Sequence, residues 1–248
     1  MGNGDYDILT SKISTGKPIV TVFTDHQLGP FKIDEKKYAN LYNSITQDLD
    51  AQIPVCEGKL PKIIIGGHSA SGRASLQAMD KDLLSSPPDG FIGLDPFQAQ
   101  KEPTRSFFKG DVPGTKIDPD LPMMSWGFEK TTCSVNVDIA AKSAYELAGK
   151  ENRVFYKVAN TGRSNRSIGH CEFANNGCKV GGFISLPGCP TRRNEDVKDV
   201  VAESIQVFAA AVSKGDIQTS DFELDTSNAG VGIDLFVNSA EIPNSAEL

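Results

Sequence analysis

The chain has 248 residues, with 25 Lys plus Arg against 32 Asp plus Glu, for a net charge of −7. Its 39% hydrophobic and 23% charged residues are an ordinary globular balance, which argues against disorder throughout, and its length suits one large α/β domain with a substantial core. The acidic excess without a Lys/Arg cluster argues against a nucleic-acid binder, and no apolar run approaches the roughly 18 residues of a membrane span.

Lys17-Pro18-Ile19-Val20-Thr21-Val22-Phe23 is a β-branched run that ends at Thr24-Asp25 and predicts a buried strand. Asp34 can cap a helix that buries Tyr38, Leu41, Tyr42, Ile45 and Leu49. Pro61 to Gly67 reads as a second strand, apolar on both faces as central parallel strands are, and Ala70 to Met79 as a helix. Gly90 to Pro96 gives a third strand and Pro122 to Phe128 a fourth. Val135 to Leu147 reads as a helix and Arg153 to Val158 as a fifth strand. Asn194 caps a helix that buries Val197, Val200, Val201, Ile205, Phe208 and Val212 and stops at Gly215. Strand and helix alternate, the signature of a parallel sheet covered by helices on both faces. Residues 1–214 are therefore expected to form the domain, and 215–248 an irregular polar extension. The opening Met1 to Tyr6 holds no apolar secretory segment and no Ser or Thr at position 6 for myristoylation, so the chain reads as soluble.

Chemistry concentrates in Ile65-Gly66-Gly67-His68-Ser69-Ala70-Ser71-Gly72-Arg73. A buried strand that runs through Gly-His-Ser directly into a helix forces the serine into a sharp, strained turn with its Oγ exposed above the sheet. The Ala70 N–H then lies at a helix N-terminus, where it can bind a developing oxyanion. The usual pattern is G-x-S-x-G, but Ser71 stands at its fifth position and glycine is delayed to Gly72. A plain strand-turn-helix joint with an incidental serine is the bland alternative.

A serine nucleophile needs a base, and the three histidines are His26, His68 and His170. His68 precedes the serine and should point to the opposite face, while His26 is explained by capping the early strand. His170 lies in the polar loop Ser167-Ile168-Gly169-His170-Cys171 after the last central strand, which is the place and chain order of the base in a Ser-acid-His triad. Two acids end sheet strands, Asp95 and Glu129. Position alone slightly favours Glu129, because the later strand more often supplies the acid.

The five cysteines are Cys56, Cys133, Cys171, Cys178 and Cys189, and none has C-x-x-C spacing. A disulfide within the Cys171–Cys189 stretch would imply a secreted or lumenal protein, whereas reduced thiols fit any reducing compartment.

Gly67-His68-Ser69, Phe91-Ile92-Gly93-Leu94-Asp95-Pro96 and Gly169-His170, in this order and spacing, resemble the chlorophyllase family of α/β-hydrolases. The segment Tyr6 to Ile13, followed by Gly16 to Asp25, is similar to that family's helix and strand upstream of the elbow. The likeness covers roughly residues 5–213.

Carried over by motif, the resemblance implies Ser69 as nucleophile, Asp95 as orienting acid and His170 as general base. Pro96 would hold Asp95 in an extended conformation. The chain begins about where the family's His-Gly oxyanion loop stands, with Gly2-Asn3-Gly4 a remnant of it, so the first strands of the sheet are expected to be missing. The implied activity is cleavage of a lipophilic ester, chlorophyll to chlorophyllide and phytol, without metal or cofactor, and the implied compartment is the chloroplast. Phe97, Phe107 and Phe108 could line a cleft for the phytyl tail but read better as packing residues.

A general carboxylesterase, lipase or polyester hydrolase would use the same machinery. A dienelactone-hydrolase-like enzyme would need cysteine at position 69. A catalytically dead hydrolase fold would serve as a binding module.

Overall fold

The computed structural model describes residues 6–22, 34–52, 61–96, 117–128, 152–159, 173, 179–180, 184–185, 195–227 and 232–237. Four helices lie among them: α1 (Asp7–Ser14), α2 (Glu35–Gln52), α3 (Ala70–Asp80) and α4 (Glu195–Lys214). The main sheet takes β1 (Ile64–His68), β2 (Gly90–Leu94), β3 (Met123–Phe128), β4 (Arg153–Ala159) and β7 (Gly232–Val237), in that spatial order. β1 to β4 pair in parallel, and β7 joins β4 antiparallel. Two short strands, β5 (Lys179–Val180) and β6 (Ile184–Ser185), make a separate antiparallel ladder. The chain is thus an α/β protein with a mostly parallel sheet.

Strand alternation divides the core in two. Met124, Trp126 and Phe128 of β3 and Val154, Tyr156 and Val158 of β4 turn to one face. There they meet Leu9 and Ile13 of α1 and Val197, Val200, Val201, Ile205, Phe208 and Val212 of α4. Met123, Phe91 and Ile65 turn to the other face and pack with Tyr42 of α2 and Leu76 of α3. All six apolar positions expected of the last helix are buried. The α2 pattern also holds, with Tyr42 buried and Tyr38, Leu41 and Ile45 half-buried, while the side chain of Leu49 lies outside the described residues. So do the predicted helix 135–147 and the cap Asn194.

Two expectations are corrected. Residues 17–22 form no strand, and Val20 and Val22 are 75% and 52% exposed. The Thr21 hydroxyl lies 2.9 Å from that of Ser14, which ties the run to the end of α1, and only Ile19 reaches the core. β-branched residues make a strand only where a ladder partner accepts their backbone, and no described residue does so here. The extension 215–248 is not irregular throughout. Ile217 and Phe222 are buried in the core, a 3₁₀ turn spans Thr219–Phe222, and β7 completes the sheet. Its pairing with β4 is non-local, and β7 is only half-buried, so it lacks the continuous apolar signature of the central strands.

Candidate functional site

β1 and β2 end together, with His68 opposite Leu94 in the last register position. Ser69 and Asp95 are the next residues of the two strands, so both stand at the carboxyl edge of the sheet, where α/β proteins gather their sites. Each has a positive φ, 58° at Ser69 and 45° at Asp95. Among the described non-glycine residues only Asp82 shares this property. Ser69 pairs its φ with ψ −127° at the junction of β1 and α3, a combination that ordinary side chains avoid. Its N–H donates to Leu94 C=O at 3.2 Å, and its carbonyl accepts the Arg73 N–H of the first turn of α3 at 3.3 Å. Ser69 is half-buried and Ala70 buried. As the first residue of α3, Ala70 presents an N–H with no intrahelical acceptor.

The turn closes because two glycines let backbones meet. A Cβ on Gly67 would lie 2.7 Å from the Ser71 Cβ, and one on Gly72 would lie 2.8 Å from Gly67 O and 2.7 Å from the Pro96 Cβ. The displaced glycine therefore has a physical account. Residue 71 can carry a side chain because residue 67 has none, and Gly72 makes the close contact with the strand and with Pro96.

Asp95 is fully buried. Its N–H donates to Trp126 C=O at 2.8 Å, which extends the β2–β3 ladder by one residue. The expected extended conformation is corrected, since φ is left-handed. The chain must keep the Trp126 bond while it turns Pro96 back onto Gly72 and Gly93, and Asp tolerates that region better than most residues.

His68 points away from Ser69 into the opposite face, as strand alternation requires. Its Nδ1 lies 2.6 Å from Tyr6 Oη, and its ring stands edge-on to Tyr6 and Phe173 at 5.8 and 5.4 Å. Phe173 is fully buried and also packs on Phe128, the last residue of β3, at 5.6 Å. Sequence reasoning missed Tyr6 and Phe173, because a bond between residues 62 apart leaves no local signal. It missed Tyr38 too, whose hydroxyl donates to Gly66 C=O at 3.1 Å and accepts the Gly66 N–H at 3.3 Å on the side of β1 away from β2. Burial pushes the Tyr38 phenol up to about 12, so it stays neutral and able to do both.

His170, Glu129, His26, the five cysteines, Phe97, Phe107 and Phe108 lie outside the described residues. The structure thus brings Ser69, Ala70 and Asp95 together at one edge. Among the described residues no group of His, Cys, Asp and Glu is placed to hold a metal ion, and no helix is long and apolar enough to cross a membrane. No protein-family model matches the chain, and no curated protein matches it.

Proposed function

We propose that the chain is a serine carboxylic ester hydrolase with an α/β-hydrolase fold, acting on a lipophilic ester of the chlorophyll type. Ser69 carries this reading, as a non-glycine residue at φ 58°, ψ −127° between a parallel strand and a helix. Strain of this kind costs on the order of 1–3 kcal/mol and persists where the surroundings over-determine it, most often at sites that use it. In this reading the strained turn serves to present the Ser69 hydroxyl at the sheet edge, beside the positively polarised start of α3.

In the proposed mechanism the Ser69 Oγ attacks the ester carbonyl carbon while His170 takes its proton. The Ala70 N–H binds the oxyanion, and Asp95 holds the imidazole in the required tautomer. His170 returns the proton to the leaving alcohol, then activates the water that releases the acid. The chain supplies these groups without a cofactor.

A fluorophosphonate probe tests the proposal. Wild-type protein is expected to label at Ser69, and Ser69→Ala to lose labelling and about 10⁴-fold or more of ester turnover. Labelling at Ser71 would move the nucleophile. No labelling and no turnover would leave a binding module. Parallel assays on chlorophyll and short p-nitrophenyl esters set the substrate class, and turnover of the short esters alone would make it a general carboxylesterase, lipase or polyester hydrolase.

A further inference from the structure

Strain at Ser69 survives only if the peptide that precedes it is held from both ends. Its N–H end is bonded to Leu94 C=O at 3.2 Å. The other end belongs to His68, a residue 6% exposed whose Nδ1 lies 2.6 Å from the Tyr6 hydroxyl. Apolar packing alone would leave that ring free to settle in any rotamer of similar volume, whereas a hydrogen bond selects one direction. A buried imidazole without such a bond would be costly, so a leucine or phenylalanine would serve better for packing alone.

We propose that His68 and Tyr6 form a positioning pair for the nucleophile. The Tyr6 hydroxyl, held at the start of α1 by the burial of Leu9 and Ile13, fixes the imidazole of His68. The fixed His68 Cα then sets the peptide plane from which Ser69 turns. The same imidazole stands edge-on to the buried Phe173, which packs it from a second side. Neither residue touches substrate; both act through Ser69. The inference rests on the ester-hydrolase reading above.

Tyr6→Phe removes only the hydroxyl and keeps the ring. It is expected to slow fluorophosphonate labelling of Ser69, and to lower kcat, by roughly ten- to hundredfold, with KM within about twofold of wild type, since misplacement by an ångström costs about that much. His68→Asn keeps an acceptor near the place of Nδ1, and is expected to label roughly tenfold faster than His68→Leu. The near-ultraviolet signal of Trp126, the single tryptophan, reports the folded core in each variant.

Wild-type labelling in Tyr6→Phe, or equal rates for His68→Asn and His68→Leu, overturns the pair's role. So does a loss of labelling that accompanies loss of the Trp126 signal, which would make the pair a stability element. Wild-type protein that never labels overturns the hydrolase reading and the pair with it, before any variant is compared.

Discussion

The two ends of the parallel sheet are built on opposite principles. Around β3 and β4 the structure is filled by volume. Trp126 stacks on Tyr156 at 4.5 Å, its Nε1–H donates to Ser204 Oγ at 3.0 Å, and Tyr156 Oη donates to Phe222 C=O at 3.0 Å. Burial pushes the Tyr156 phenol above its ordinary range, so that bond persists at any ordinary pH. At the ends of β1 and β2 the structure is held instead by the absence of side chains, through Gly67 and Gly72, and a left-handed residue follows each of these adjacent strands. One region gains stability from packing, while the other gives some up to hold Ser69 and Asp95 in place. Substitutions should therefore separate them: damage at β3 and β4 falls on stability, and damage at the elbow falls on turnover.

The largest effect expected is at Asp95, the acid of the proposed triad. Asp95→Asn should lower ester turnover by about 10⁴-fold, through the wrong imidazole tautomer, with an unchanged urea midpoint. Glu129→Gln should be nearly normal, and kinetics on the two purified variants decides between them. A nearly active Asp95→Asn would transfer the acid to Glu129 and weaken the resemblance that selected Asp95.

Next comes the packed region. Trp126→Ala should cost about 3–5 kcal/mol by denaturant titration. The Trp126 carbonyl that accepts the Asp95 N–H belongs to the backbone, so variant that remains folded should keep most of its turnover. Turnover lost in proportion far beyond the unfolded fraction would show that the two regions are not separable.

Ser69→Gly tests the comparison in the opposite direction. Glycine accepts the left-handed backbone without a Cβ penalty, so this variant should be more stable than Ser69→Ala by about 1 kcal/mol, despite glycine's greater freedom when unfolded. A glycine variant less stable than the alanine one would mean that the elbow stores no strain.

The smallest effect lies at the ion pair between the start of α2 and the end of α3. The Lys81 ammonium bonds to the Glu35 carboxylate and holds it below its ordinary value of 4.5. A lowered folded value means that the pair stabilises the fold above that ordinary value, and that this contribution is lost as the pH falls through the folded one. For a partly exposed pair the loss in Glu35→Gln should be only about 0.5 kcal/mol at pH 7 and should vanish in acid, by thermal denaturation at several pH values.

Much of this architecture was legible before any coordinates. Ile63-Ile64-Ile65, Phe91-Ile92 and Met123-Met124 are short apolar runs, because strands buried on both faces need apolar side chains at every position. The spacing of Val197, Val201, Ile205, Phe208 and Val212 marks one face of α4. Ser69 stood out because a strand that passes through glycines into a helix leaves a turn few residues can occupy, whereas Asp95 was one of two acids at strand ends and was chosen over Glu129 only by the family resemblance. These are local facts, carried by residues within one or two turns of each other.

What only the tertiary structure decided is non-local. Whether Lys17 to Val22 becomes a strand depends on a ladder partner, and among the described residues it has none; the Thr21 hydroxyl is tied to Ser14 at the end of α1 instead. Gly232 to Val237 is a strand because β4 offers it an edge, although the segment itself is only half-buried. The left-handed Asp95 follows from a bond to Trp126 on another strand, and the setting of His68 from a hydroxyl 62 residues away. Side-chain period and glycine placement report what a segment buries. Which backbone group or ring meets it across the fold is set by chain closure, and no window of sequence contains that information.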